Sequence, residues 1–186
     1  IMDVWAKEKG YTPRLVHRLD KDTSGALLLA KTADSAATLA HYFATHQIEK
    51  CYLALVKGVP KVRRGTISDA IRKSDEGGGE KMVIDEEGKR AETDYEVTQA
   101  FANKLSWVKL WPKTGRTHQL RVHMASHQHP IVGDGKYGGR EAFVRGIDIE
   151  ERLHLHALSL NFTFQASDIS IEAPLSDHMQ RAKALF

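Results

Sequence analysis

The chain has a single cysteine, Cys51, so it can form no internal disulfide, and that usage fits a reducing compartment. No apolar run approaches the roughly 20 residues needed to span a bilayer. A membrane segment is therefore not expected, and the cytoplasm is the expected location. There is no Gly-x-Ser-x-Gly elbow for a serine hydrolase, no His-Glu-x-x-His and no Cys-x-x-Cys. The three glycines Gly77, Gly78 and Gly79 lack the lysine that would make a phosphate loop. No glycine fingerprint carries a strand into a helix, and strand-like segments outnumber helical ones, which excludes a free-standing dinucleotide fold. Internal repeats and low-complexity tracts are also missing.

What is present is ordinary for a globular protein. The chain has 186 residues, 41% hydrophobic and 27% charged, enough for one domain over 1–186 with a substantial core. A net charge of +3 and a pI near 8.9 permit a polyanionic partner without demanding one.

The elements follow from periodicity. Ile1 to Lys9 reads as a short helix ended by Gly10, with Met2, Trp5 and Ala6 on one side. Thr12 to Val16 is extended around Pro13, and the apolar run Ala26 to Ala30 reads as a buried strand. Thr32 is the expected N-cap of a helix over Ala33 to His46, which sets Ala36, Leu39, Ala40, Phe43 and Ala44 at helical spacing. Lys50 to Val56 reads as a strand with Cys51, Leu53 and Leu55 on one face and Tyr52, Ala54 and Val56 on the other. Arg63 to Ala70 is a further strand, Ser74 to Glu80 a loop. Ala91 to Val97 alternates as a half-solvated strand that pairs with Lys104 to Trp111. Thr117 is the expected cap of a helix running to about His127. Leu153 to Phe164 and Asp168 to Glu172 are the last strands, and Ser176 opens a C-terminal helix. The expected architecture is α+β: a mixed, mostly antiparallel β-sheet of about eight strands, flanked by helices and loops around a basic central cleft.

Two stretches carry chemistry. In His17-Arg18-Leu19-Asp20-Lys21-Asp22-Thr23-Ser24-Gly25, Arg18 and Asp20 can share a face. Leu19 and Leu27 to Leu29 would hold that pair at a partly desolvated edge, where a carboxylate needs cations or donors to stay charged. The plain alternative is a surface loop with an ordinary ion pair. In Pro112 to Met124, Arg121 sits on the predicted helix, and a guanidinium there offers a carboxylate a planar two-pronged fork. Lys113 and Arg116 precede the helix N-terminus, a place suited to phosphate, although solvated surface charge explains them equally well. Ten histidines raise a metal reading, with His123 and His127 four apart and His118, His154 and His156 elsewhere, but no established ligand spacing accompanies them, and no metal is expected.

The stretch His17-Arg18-Leu19-Asp20-x-x-Thr23-Ser24-Gly25 resembles the signature of the RluA-type RNA pseudouridine synthases, and three further segments resemble the same family. These are Tyr52-x-Ala54-x-Val56, Gly115-x-x-His118-Gln119-Leu120-Arg121-Val122-His123, and His129-Pro130-Ile131-x-Gly133-Asp134-x-x-Tyr137-Gly138; Leu155-His156-Ala157 matches a shorter one. The resemblance implies the pseudouridine synthase fold and isomerisation of uridine in RNA, most simply large-subunit (23S) ribosomal RNA, with no cofactor. It implies Asp20 as the essential acid, as nucleophile or base, and Arg121 as its ion-pair partner. Tyr52 would stack on the base and abstract a proton, Leu120 would form the apolar floor, and Arg18 would fill the space left by the extruded nucleotide. The Gly-Asp turn at Gly133-Asp134 is read as scaffold. Family members also carry an earlier strand with Lys-Pro-x-Gly and often an S4-type RNA-binding domain, so the chain is expected to be a catalytic portion lacking both. A monomer is the default. The rival reading is a non-catalytic RNA-binding module, which explains the basic charge but does not need Asp20 and Arg121 behind an aromatic ring.

Overall fold

The computed structural model describes residues 6–8, 10–75 and 81–186. Of the helix expected over Ile1 to Lys9, Met2 and Trp5 lie outside the described residues and Ala6 to Glu8 is helical. Residues 76–80 of the expected loop also lie outside them.

A seven-stranded sheet organises the chain. Its central strand is β4 (Glu49–Lys57), flanked by β10 (Leu155–Phe164) and β9 (Leu105–Pro112). Beyond β9 come β8 (Thr93–Phe101) and then β5 (Arg64–Ile67); beyond β10 comes β11 (Ser167–Glu172). These pairings are antiparallel. The seventh strand, β2 (Ser24–Gly25), joins β10 in parallel. Two small two-stranded sheets stand apart, β1 (Arg14–Leu15) with β3 (Leu29–Ala30) and β6 (Ile71–Lys73) with β7 (Met82–Ile84). The mixed, mostly antiparallel α+β arrangement agrees with expectation, but the described residues form eleven strands rather than about eight, dealt into one seven-stranded sheet and two two-stranded ones.

Both faces of β4 are covered, as its alternation requires. Leu53 and Leu55 pack with Leu105, Trp107 and Val132 under Met179 and Ala182 of α3 (Asp177–Ala184). Ala54 and Val56 pack on the other face with Val108, Leu110 and Ile131 under Leu120 and Met124 of α2 (Gln119–Ser126). Each such leucine contributes roughly 2 kcal/mol by leaving water. The first long helix, α1 (Ala33–Ala44), covers a third cluster of Ala26, Ala30, Ile48, Leu160 and Phe162. Thr32 caps it as expected, its hydroxyl accepting from the Ser35 amide, with Ser35 reaching back to the Thr32 amide.

Three expectations are corrected. Ala26 to Ala30 is not one buried strand: only Leu29 and Ala30 pair, and Leu27 is 46% exposed. The strand expected over Arg63 to Ala70 is shorter, because the chain leaves β8 after Ile67 and builds the separate β6–β7 hairpin. Thr117 does not cap α2; the cap position falls to His118 in a left-handed conformation at φ +53°, without a side-chain cap bond. Gln119 explains the change. Its side-chain oxygen accepts from the Arg116 amide at 3.0 Å and the Thr114 hydroxyl at 2.7 Å. Its amide nitrogen donates to the Glu92 carbonyl and the Thr93 hydroxyl, both at 2.9 Å. The approach to the helix is thus tied to β8 before a threonine cap can form.

Candidate active site

The loop from His17 to Gly25 is fastened at both ends. At its start, the His17 ring stacks on Phe43 at 4.2 Å, and its Nε2 accepts the Leu28 amide at 2.8 Å. Burial, and then the charge of Lys50, pushes the His17 pKa down to about 4, so the ring is neutral at neutral pH and free to accept. At its end, Ser24 shares a 2.8 Å hydrogen bond with Nδ1 of His156. Gly25 sits at φ +114°, where a Cβ would fall 2.2 Å from the Ala157 carbonyl oxygen. Only glycine lets the loop press this closely against β10, at the point where the β10–β4 register slips between Ala157 and Ser159. Between the anchors, the Thr23 amide closes a turn onto the Asp20 carbonyl at 3.1 Å, with Asp22 left-handed at φ +68°.

The turn presents Asp20 to a cleft of about 390 Å³. Arg18 and Asp20 line it from the loop, Lys50 and Tyr52 from β4, and Arg116 and Leu120 from the α2 side, with Leu155 at its base. Arg18 and Arg116 are exposed, whereas Asp20 and Tyr52 are half-buried and Leu120 is buried. Burial, and then the charge of Asp20, pushes the Tyr52 hydroxyl up to about 12. Asp20 is therefore close enough to act on Tyr52, and the phenol stays protonated at neutral pH. The proton-abstracting role expected of Tyr52 requires the phenolate, which burial and the Asp20 charge both disfavour.

Arg121 departs from expectation. Its guanidinium engages Asp134, Nε to Oδ2 at 2.8 Å and Nη2 to Oδ1 at 2.6 Å, with the Asp134 side chain 1% exposed. Asp20 makes no ion pair within 4.0 Å among the described residues, although its charge is felt at Arg121. Burial works against the Arg121 charge, but the hydrogen bonds and charge of Asp134 more than offset it. The physical reason is desolvation. A carboxylate shut away from water must have a cation, whereas half-buried Asp20 keeps some of its water. Asp134 is delivered by the tight turn at Gly133, whose φ is +79° and whose missing Cβ would overlap the Arg152 carbonyl. The turn read as scaffold thus supplies the partner of Arg121, a role signalled in advance only by its fixed Gly-Asp pair. Tyr137 of the same turn lies 5.1 Å beneath the guanidinium and bonds His118 at 2.6 Å. Arg121, Asp134 and His118 line a neighbouring hollow of about 550 Å³ with Lys21, Asp22 and Lys136.

Lys113 also lies elsewhere. It pairs with Asp94 at 3.1 Å and lines a shallow depression beside Arg64 and Trp111, not the cleft. Arg116 does line the cleft, braced by donation from Nε to the Arg90 carbonyl at 3.0 Å. The histidine pair does not converge on one point. His123 bonds the Thr93 hydroxyl and the Asp69 carbonyl, while His127 bonds the Asp69 carboxylate.

The family model described as RNA pseudouridylate synthase matches residues 1–126. The chain belongs to that family. An uncharacterized RNA pseudouridine synthase of Zymomonas mobilis is 42% identical over 88% of this chain and 73% of its own length. Ribosomal large subunit pseudouridine synthase C of Escherichia coli K12 is 38% identical over 90% of this chain and 54% of its own. The chain thus spans about half the length of several curated relatives it matches. Among solved structures, human RNA pseudouridylate synthase domain containing 1 is 35% identical with a TM-score of 0.75, over 93% of this chain and 80% of its own. The matched region includes the Asp20 loop, Tyr52 and Leu120, while Asp134 lies beyond it.

Proposed function

We propose that this chain is a catalytic domain that isomerises specific uridines to pseudouridine in RNA, with large-subunit (23S) ribosomal RNA as the substrate. What supports the reading is that Asp20, Tyr52 and Leu120, each in a segment matching the family, line one cleft with cations at its rim. A uridine extruded from its stack costs a few kcal/mol, and exposed Arg18, which lines the cleft, takes up the space it leaves. Asp20 opens the reaction, either at the ribose C1′ or at the neighbouring carbon. The C1′–N1 bond breaks, the freed uracil turns against the Tyr52 ring and the Leu120 side chain, and C5 bonds to C1′. The proton displaced from C5 passes to water, and N1 gains one, so atoms balance and no electrons change hands. No cofactor is required. Arg121, held by Asp134, contributes positive potential beside Asp20, and Arg116 contacts the RNA backbone. The domain acts on RNA as a monomer in the cytoplasm.

The test is tritium release from 23S ribosomal RNA transcribed with [5-³H]uridine. Wild-type protein should release tritium, and Asp20→Asn should reduce release at least ~10³-fold while leaving the melting temperature within a few degrees. Full activity in that variant refutes the assignment. A non-catalytic binding module would show salt-dependent RNA affinity without release from either protein.

A further inference from the structure

Lys50 stands on β4 two residues before Tyr52, so both side chains leave the strand on one face. Both line the cleft that Asp20 enters. Lys50 is half-buried, unlike the exposed Arg18 and Arg116 that share the cleft with it. Among the described residues no carboxylate comes within 4.0 Å of its ammonium, Asp20 included. Its surroundings oppose its charge: burial lowers its pKa. His17 feels the charge of Lys50, stays neutral and has its ring nitrogen occupied by the Leu28 amide. A cation partly stripped of water and left without a counter-ion is unfavourable.

We propose that Lys50 is a substrate-binding residue whose ammonium takes a phosphate oxygen of the RNA backbone beside the target uridine, while Tyr52 takes the ring. This deepens the pseudouridine synthase reading and rests on it. A phosphodiester is the occupant the electrostatics favour, because it brings a full negative charge into the cleft. A uracil carbonyl is neutral and would leave the cation uncompensated. The arrangement also divides the work among the cations. Arg18 and Arg116 meet the RNA while hydrated, and Lys50 binds only what has entered the cleft, so its contact is made after the nucleotide is extruded.

The test uses wild-type chain, Lys50→Met and Lys50→Arg, with unmodified 23S ribosomal RNA transcript as the probe. Filter binding is measured from 50 to 300 mM salt, and tritium release gives kcat and KM. Lys50→Met should raise KM about tenfold, by more than it lowers kcat. It should also make the slope of log affinity against log salt shallower by about one unit. Lys50→Arg should restore the slope. Because Lys50→Met removes a poorly solvated charge, it should melt at the wild-type temperature or above; a fall in melting temperature would mark Lys50 as a structural residue and overturn the proposal. Tritium release by wild type, with an unchanged salt slope and KM in Lys50→Met, overturns the Lys50 assignment alone. No release by wild type overturns the parent reading as well.

Discussion

Asp20 and Asp134 both act on Arg121, and the protein treats them in opposite ways. Asp134 is sealed from solvent and gripped by both prongs of the guanidinium at 2.6 and 2.8 Å. Asp20 is half-buried, faces an open cleft and has no ion-pair partner within 4.0 Å among the described residues. One carboxylate is used up in holding the fold, and the other is kept available. In the proposed reaction the difference lets a single arginine serve the acid Asp20 without being bonded to it. Fixed by Asp134 and laid over the Tyr137 ring, it offers its charge from a set position and needs no reorganisation when substrate arrives.

The sharpest way to break this comparison is to neutralise each acid in turn. Asp134→Asn should strand Arg121 as a buried, uncompensated cation and destabilise the chain by about 3–5 kcal/mol, read as a lowered denaturation midpoint. Adding Arg121→Met to it should return most of that stability, because the orphan charge goes, but should not restore tritium release. Asp20→Asn should show the reverse, with activity lost and the midpoint kept. If both asparagine variants proved equally unstable, Asp20 would be a structural acid and the contrast false.

That contrast was only half legible in the sequence. The two faces of β4 follow directly from alternation, and the Thr32 cap from local chemistry, because both depend on neighbours a few residues away. Asp20, Tyr52 and Leu120 come together as their motifs imply. The partner of Arg121 could not be read the same way. Asp20 and Asp134 both lie in family-like segments, and which one receives the fork depends on the depth at which the Gly133 turn is pressed against Arg152. Lys113 fails for a similar reason. It sits three residues before Arg116 in sequence, yet as β9 ends, Lys113 stays over Asp94 while Arg116 passes into the cleft. Leu27 misled because an apolar run implies burial only where another layer covers it, and between β2 and β3 Ala26 is buried while Leu27 faces solvent.

A second region sharpens the comparison through pH. Burial, the leading cause in each case, lowers the pKa of His17, His123, His154 and His156, with His17 and His154 reaching about 4. All four therefore bind a proton more readily in the unfolded chain, where the ordinary value is near 6.5. Stability from these rings is complete above that value and is lost as pH falls toward 4. Fully buried His154 alone should account for roughly 1–3 kcal/mol of that loss. Thermal melts between pH 7.5 and 4 should show the decline, and His154→Gln should flatten it in part. A melting temperature that stayed level down to pH 4.5 would contradict the neutral state of these rings.

The smallest effect separates two cations that are neighbours in sequence and not in space. Arg116 lines the cleft and is braced on the Arg90 carbonyl, so Arg116→Ala should weaken RNA binding several-fold, more at low salt than at high. Lys113 is engaged with Asp94 in a separate depression, and Lys113→Ala should change affinity less than about twofold. Measured side by side at 50 and 300 mM salt, the two variants should differ most at the lower concentration, where an unscreened phosphate contact carries most weight. Equal losses would mean that the RNA crosses the sheet at Asp94 as well as entering the cleft. The bound strand would then follow β8 and β9 rather than the rim between Arg18 and Arg116.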